Sequence, residues 1–292
     1  MGNITAGMVK ELRERTGMGM IDCKKAWTEA DGDMDKAIDD LRKASGIKAA
    51  KKASRVATEG VALTKIAEDG NYGVVIEVNS ETDFAAKDEN FQNFAQQALD
   101  LAYANSEADV AGLLDAGLED ARSALVQKIG ENCSVRRIER MQLGADDSGN
   151  VESYVHSNNK IAVLISVSGG DEALARDVAM HIAAVNPLVV KAEDVPEEEI
   201  AKETEIFTAQ ARESGKPEEI IEKMITGRLR KFVAEVSLLE QPFVKEPDVT
   251  VGKLLKDAGA SVISFVRFEV GEGIEKEEVD FADEVAAQVR GS

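Results

Sequence analysis

Two β-branched runs of strand length, each followed a short way on by a helical period, constrain this chain more than any other feature. Gly73-Val74-Val75-Ile76-Glu77-Val78 precedes Phe91, Phe94, Ala95, Ala98, Leu99 and Ala102, which recur every three or four residues. The same order returns where residues 161–167 precede residues 174–185, and each helical stretch closes near an asparagine, Asn105 and Asn186. Two similar halves are implied. Each run also has strand-like neighbours: residues 61–67 lead through Asp69-Gly70-Asn71 into the first, and residues 136–143 and 151–156 precede the second. Turns of Gly, Asp and Asn between short apolar strands favour antiparallel hairpins, because these residues tolerate the positive φ that a tight turn needs. With its helices kept apart from such hairpins, the chain reads as α+β rather than as a doubly wound parallel sheet.

The flanks have a different texture. In the first 55 residues, Thr5 is placed to cap a helix carrying Met8, Val9 and Leu12 that ends at Thr16-Gly17. Asp22 is placed to cap a second, carrying Cys23, Ala26, Trp27 and Ala30, and Asp33 a third, carrying Met34, Ala37, Ile38 and Leu41 and closed by Gly46. So small a core suits a docking module. Arg13, Met20 and Ile21 fall near its first interhelical turn, where Met20 and Ile21 either complete the little core or form a partner-facing patch. Further on, Ile200, Ile206, Phe207 and Ala211 form one narrow apolar stripe, and Ile220, Ile221, Met224, Ile225, Leu229, Phe232 and Val236 another, with Gly215-Lys216-Pro217 between them. This is an αα-hairpin that either lies on its own core or pairs with a second copy, giving a homodimer. Residues 251–258 read as a short helix and 262–270 as a strand. Phe281, Val285 and Val289 line a terminal helix that either packs down or serves as a docking arm. The expected division is a three-helix module at 1–55, a first core unit at 56–140, a second at 141–186 and 236–272, the hairpin at 187–235 and a C-terminal helical module at 273–292.

Composition excludes several activities. A formal charge of -20 over 292 residues argues against an exposed phosphate-binding surface and so against direct nucleic-acid binding. The first 55 residues differ, with 12 basic against 9 acidic side chains, and the short run Lys48, Lys51, Lys52 and Arg55 reads as a solvated linker rather than an RNA arm. No apolar run approaches the roughly 20 residues of a membrane span, and no signal or transit pattern opens the chain, so a cytoplasmic location is expected. Cys23 and Cys133 lie far apart, and His156 and His181 lack metal-ligand spacing, so neither metal nor cofactor is expected. With no phosphate loop and no nucleophile elbow, no covalent catalysis is expected. The runs of acids, such as Glu197-Glu198-Glu199, read as solvated helix faces rather than as a hydrolase centre.

One junction stands out. Glu81-Thr82-Asp83-Phe84 follows the first strand as a loop, and aromatics make up only 4% of the chain. Phe84 there either folds back into its own core or docks on a partner.

Lys10-Glu11-Leu12-Arg13-Glu14-Arg15-Thr16-Gly17, Asp22-Cys23-Lys24-Lys25-Ala26, Glu81-Thr82-Asp83-Phe84 and Val270-Gly271-Glu272-Gly273-Ile274-Glu275-Lys276 together closely resemble the bacterial elongation factor Ts family. Lys128-Ile129-Gly130-Glu131-Asn132, Ala179-Met180-His181-Ile182-Ala183 and Gly215-Lys216-Pro217 extend the resemblance along the whole chain, in the family's order. It implies a guanine-nucleotide exchange factor for the GTPase elongation factor Tu, active without covalent chemistry and as a homodimer or a two-plus-two complex with the GTPase. It implies partner contacts at Thr82, Asp83 and Phe84, the Phe wedging between helices and disturbing the Mg²⁺ and phosphate region. Contacts are implied also at Arg13, Met20 and Ile21, at Ile129 and Gly130, and at His156. Two departures stand against the pattern: Ile21 replaces the usual Met, and Ser157-Asn158-Asn159 replaces a Gly-containing turn. The alternative is a multivalent protein-binding adaptor without exchange activity, which binds the GTPase and leaves the GDP release rate unchanged.

Overall fold

Three helices open the chain: α1 (Ala6–Thr16), α2 (Met20–Glu29) and α3 (Met34–Lys52). The computed structural model describes residues 5–144, 149–213, 215 and 217–275. The anticipated terminal helix with Phe281, Val285 and Val289 lies outside the described residues. Thr5 and Asp33 cap α1 and α3 as anticipated, accepting the amides of Met8 and Lys36. Asp22 does not cap α2. Gly19 holds that place, and the Asp22 carboxylate instead accepts from Gln127 Nε2 at 3.1 Å and lies 3.6 Å from Lys48 Nζ.

Nor does Gly46 close α3. Leu41, Ser45 and Ala49 are buried at helical spacing, and Ser45 Oγ donates to Gln127 Oε1 at 2.6 Å. Burying that stripe outweighs the roughly 1 kcal/mol that a mid-helix glycine costs. The continued helix also ties down the basic run: Lys52 Nζ donates to the Gly130 carbonyl and Arg55 pairs with Glu81 at 3.5 Å. Lys48, Lys51 and Lys52 therefore belong to α3 rather than to a linker.

The first half of the core comprises β1 (Glu59–Ile66), β2 (Tyr72–Ser80), α4 (Asp83–Lys87), α5 (Glu89–Ala104), α6 (Val110–Leu113), α7 (Glu119–Ile129) and β3 (Cys133–Gln142). Its strands form an antiparallel sheet in the order β1-β2-β3. The second half comprises β4 (Gly149–Val155), β5 (Ile161–Ser168) and α8 (Glu172–Val185), then the hairpin α9 (Glu197–Arg212) and α10 (Glu218–Val236). The small ladder β6 (Pro242–Phe243) and β7 (Glu246–Thr250), α11 (Val251–Asp257) and β8 (Ser261–Glu269) complete it. Here the antiparallel order is β4-β5-β8, so the return strand after the hairpin completes the sheet. The class is α+β, as the turn chemistry predicts.

The two sheets pack face to face through Ala62, Val75 and Met141 on one side and Val151, Ala162, Leu164 and Phe268 on the other. Val74, Ile76 and Val78 turn the opposite way, onto Phe91, Phe94, Ala95 and Ala98 of α5. Val163, Ile165 and Val167 likewise meet Ala175, Val178, Ala179 and Ile182 of α8. The central strands β2 and β5 are thus covered on both faces, which explains why each reads as a continuous apolar run instead of an alternating one. Gly73 permits the close approach of the sheets, since a Cβ there would lie 2.8 Å from Val151 Cγ1. The hairpin arms pack chiefly on each other and, at their base, on the turns Ala192–Asp194 and Leu238–Glu240.

Candidate functional site

The tetrapeptide after β2 is not an open loop. Thr82 caps α4 by accepting the amide of Ala85 at 3.2 Å, and Asp83 and Phe84 form the first turn. Ala85 and Ala86 are buried beneath that turn, while Phe84 is 82% exposed. An apolar side chain of that size at the tip of a short helix gains nothing from its own fold. Asp83 is half-exposed, and the Lys87 ammonium 2.7 Å away holds its carboxyl below the usual range.

Long-range contacts hold α4 in place. α7 ends with Ile129, half-buried against the first core, and with Gly130, whose φ of 85° caps the helix in the left-handed region. Next to it, the Glu131 carboxylate accepts from Thr82 N at 2.9 Å and from Thr82 Oγ1 at 2.7 Å. In the opposite direction, Glu81 Oε1 accepts from Asn132 N at 2.6 Å, and Asn132 Nδ2 donates to the Arg55 carbonyl at 2.8 Å. On its other flank, α4 lines an open cleft of 430 Å³ with Gly60, Ser157, Asn158, Asn159 and Lys160.

That second wall is the β4–β5 turn. Exposed His156 lies just before it, with Nδ1 3.2 Å from Tyr154 Oη. Asn159 takes a φ of 55°, so an asparagine supplies the left-handed residue that the expected glycine would have provided. Its carbonyl accepts from Ala62 N at 2.8 Å and so anchors the turn to β1.

Thr82 and Asp83 thus flank Phe84 on α4, the α7–β3 turn reaches Thr82 through Glu131, and the β4–β5 turn next to His156 lines a cleft with Asp83. Arg13, Met20 and Ile21 do not join them directly. All three are exposed, Ile21 to 85%, and Asp22, the residue after Ile21, accepts from Gln127 on α7. Met20 and Ile21 therefore lie outside the small core, which is built by Val9, Leu12, Met18, Cys23 and Trp27.

A family model described as elongation factor TS matches residues 81–272. A protein named elongation factor Ts from Hahella chejuensis is 60% identical over 291 residues, covering 100% of both chains. Namesakes from Teredinibacter turnerae and Saccharophagus degradans are 59% and 60% identical, each over 99% of this chain and over 98% and 99% of their own lengths. The chain belongs to the elongation factor Ts family. Its role is in translation elongation. Among the described residues of this elongation factor Ts family member, no group of His, Cys, Asp and Glu could hold a metal ion, and no helix is long and apolar enough to cross a membrane. Both cysteines are buried and free, and burial pushes the Cys133 thiol up to about 12.

Sequence reasoning missed Glu131 as part of this elongation factor Ts site. The residue stands within a family motif, but nothing local signals that its carboxylate reaches Thr82, 49 residues earlier. Two smaller signals were legible: Thr82 is a good N-cap type, and Asp83 and Lys87 have the spacing of a helical ion pair.

Proposed function

We propose that this chain is a guanine-nucleotide exchange factor for elongation factor Tu, accelerating GDP release so that GTP can rebind. A translational GTPase holds GDP through backbone amides, a Lys and Mg²⁺. A factor that binds best to a conformation in which those contacts are spoiled weakens the nucleotide, and by linkage the nucleotide weakens the factor equally. No bond is made or broken. Phe84 is the wedge: inserted between helices of the GTPase, it shifts a packed interior from one arrangement to another and disturbs the Mg²⁺ and phosphate region. Asp83 accompanies it, while Thr82 acts through the cap that it forms. Arg13, Met20 and Ile21 supply a separate contact from the N-terminal module, with Ile129, Gly130 and His156 contacting the GTPase around the wedge.

The observation that carries this reading is the 82% exposure of Phe84 on a helix fastened by long-range hydrogen bonds. The six-segment division at 55, 140, 186, 235 and 272 accompanies the proposal, as do a cytoplasmic location and pairing through the α9–α10 hairpin, whose Ile206 and Ile220 are partly exposed. The deciding experiment mixes catalytic amounts of the chain with elongation factor Tu carrying fluorescent GDP. Wild type speeds release and Phe84→Ala loses most of that acceleration while remaining folded; a pure adaptor binds without changing the rate. A monomer in sedimentation at micromolar concentration removes the pairing.

A further inference from the structure

We infer that Glu131 is the positioning residue of the Phe84 wedge, aiming α4 through Thr82. This inference rests on the exchange reading above. A five-residue helix does not hold itself in water, since nucleation costs more than one turn of hydrogen bonds returns. Its direction must come from outside, and Glu131 is placed to supply it. One carboxylate oxygen accepts the Thr82 amide at 2.9 Å and the other the Thr82 hydroxyl at 2.7 Å. With its donor held by Glu131, the hydroxyl keeps its lone pairs for the Ala85 amide at 3.2 Å, so one carboxylate orients the whole cap. Hydrogen bonds to an ionised acceptor are the stronger kind, and two of them converge on one residue.

The support continues behind Glu131. Ser80 Oγ donates to the Thr82 carbonyl at 2.9 Å, and Glu81 receives the Asn132 amide at 2.6 Å. Two acids, one from each turn, therefore cross-link the exit of β2 to the entry of β3. Glu131 need not touch the partner. It acts through the direction of Phe84, two residues beyond Thr82.

The test measures fluorescent GDP release from elongation factor Tu at rising concentrations of full-length chain. Glu131→Ala lowers the maximal release rate about tenfold, as expected for the loss of charge-assisted hydrogen bonds used in the rate-determining state, and shifts the half-saturating concentration less than about threefold. Glu131→Gln, which keeps the shape and one acceptor, falls between Glu131→Ala and wild type, and it carries the comparison if thermal unfolding finds the alanine variant unfolded. Thr82→Val, which removes the hydroxyl that Glu131 holds, lowers the maximal rate about as far as Glu131→Ala does. In the Phe84→Ala background, Glu131→Gln and Glu131→Ala change nothing further, which a merely structural role would not produce. A wild-type rate in both Glu131 variants, or a loss that multiplies with that of Phe84→Ala, overturns the inference. A wild-type chain that fails to speed release overturns the exchange reading itself, and this inference with it.

Discussion

The two halves of the core follow the same path and part at one junction. In each, a doubly buried central strand leads to an Asp-capped helix ending on an asparagine: β2 to α5 with Asp88 and Asn105, β5 to α8 with Asp171 and Asn186. Both central strands shift register once, after Glu77 in one and Ser166 in the other. Between strand and helix the second half uses only Gly169-Gly170-Asp171, whereas the first uses residues 81–88. Gly169 has a φ of 70° and runs so close to Gly259 that a Cβ would lie 2.4 Å from its carbonyl oxygen. A short joint must be made of glycine and offers no platform. The longer joint folds into α4, is fastened by Glu131, and holds an aromatic ring in solvent.

The comparison can be broken most severely at two phenylalanines seven residues apart. Phe91 is fully buried in the first core, so Phe91→Ala lowers unfolding free energy by about 3–5 kcal/mol in denaturant titration. Phe84→Ala changes it by less than about 0.5 kcal/mol. Equal losses would erase the distinction between core and platform. Next comes Gly169→Ala, which combines a left-handed backbone with contact against Gly259 and destabilises by about 2–3 kcal/mol, read from the thermal midpoint.

The polar residues before the two register shifts sharpen the contrast by pH. Burial by itself would raise the Glu77 carboxyl, but the Gly271 amide at 2.8 Å, Arg137, Arg136 at 3.0 Å and Asn79 together hold it below the usual range. A depressed folded pKa means that its stabilisation is fully present above the unfolded value of about 4.3 and disappears as pH falls through the folded value. Unfolding curves of wild type and Glu77→Gln therefore differ at neutral pH and converge in acid. Ser166, whose buried hydroxyl has no hydrogen-bond partner among the described residues, gives no such dependence in Ser166→Ala. More modest losses test the shared frame: Asp88→Ala and Asp171→Ala each cost about 1 kcal/mol. A cap that matters in only one half would show that the likeness is one of outline alone.

Much of this was legible without coordinates. The strand runs, the hairpin turns, the caps at Thr5 and Asp33 and the two arms of the αα-hairpin are local patterns, and local patterns survive wherever tertiary contacts agree with them. Where the contacts disagreed, they won: buried Leu41, Ser45 and Ala49 carried α3 past Gly46, and Gln127 drew Asp22 away from capping. At the candidate site, Phe84 was conspicuous as a scarce aromatic, but most Phe rings turn inward and composition favoured that outcome.

The amino-acid order by itself determined the class of fold, its twofold repetition and the family, because hydrophobic period, turn chemistry and motif order are properties of neighbouring residues. Only the tertiary structure decided that Phe84 faces solvent and that Glu131 holds the helix beneath it. Those outcomes depend on hydrogen bonds between segments some fifty residues apart, and no window along the chain contains both partners.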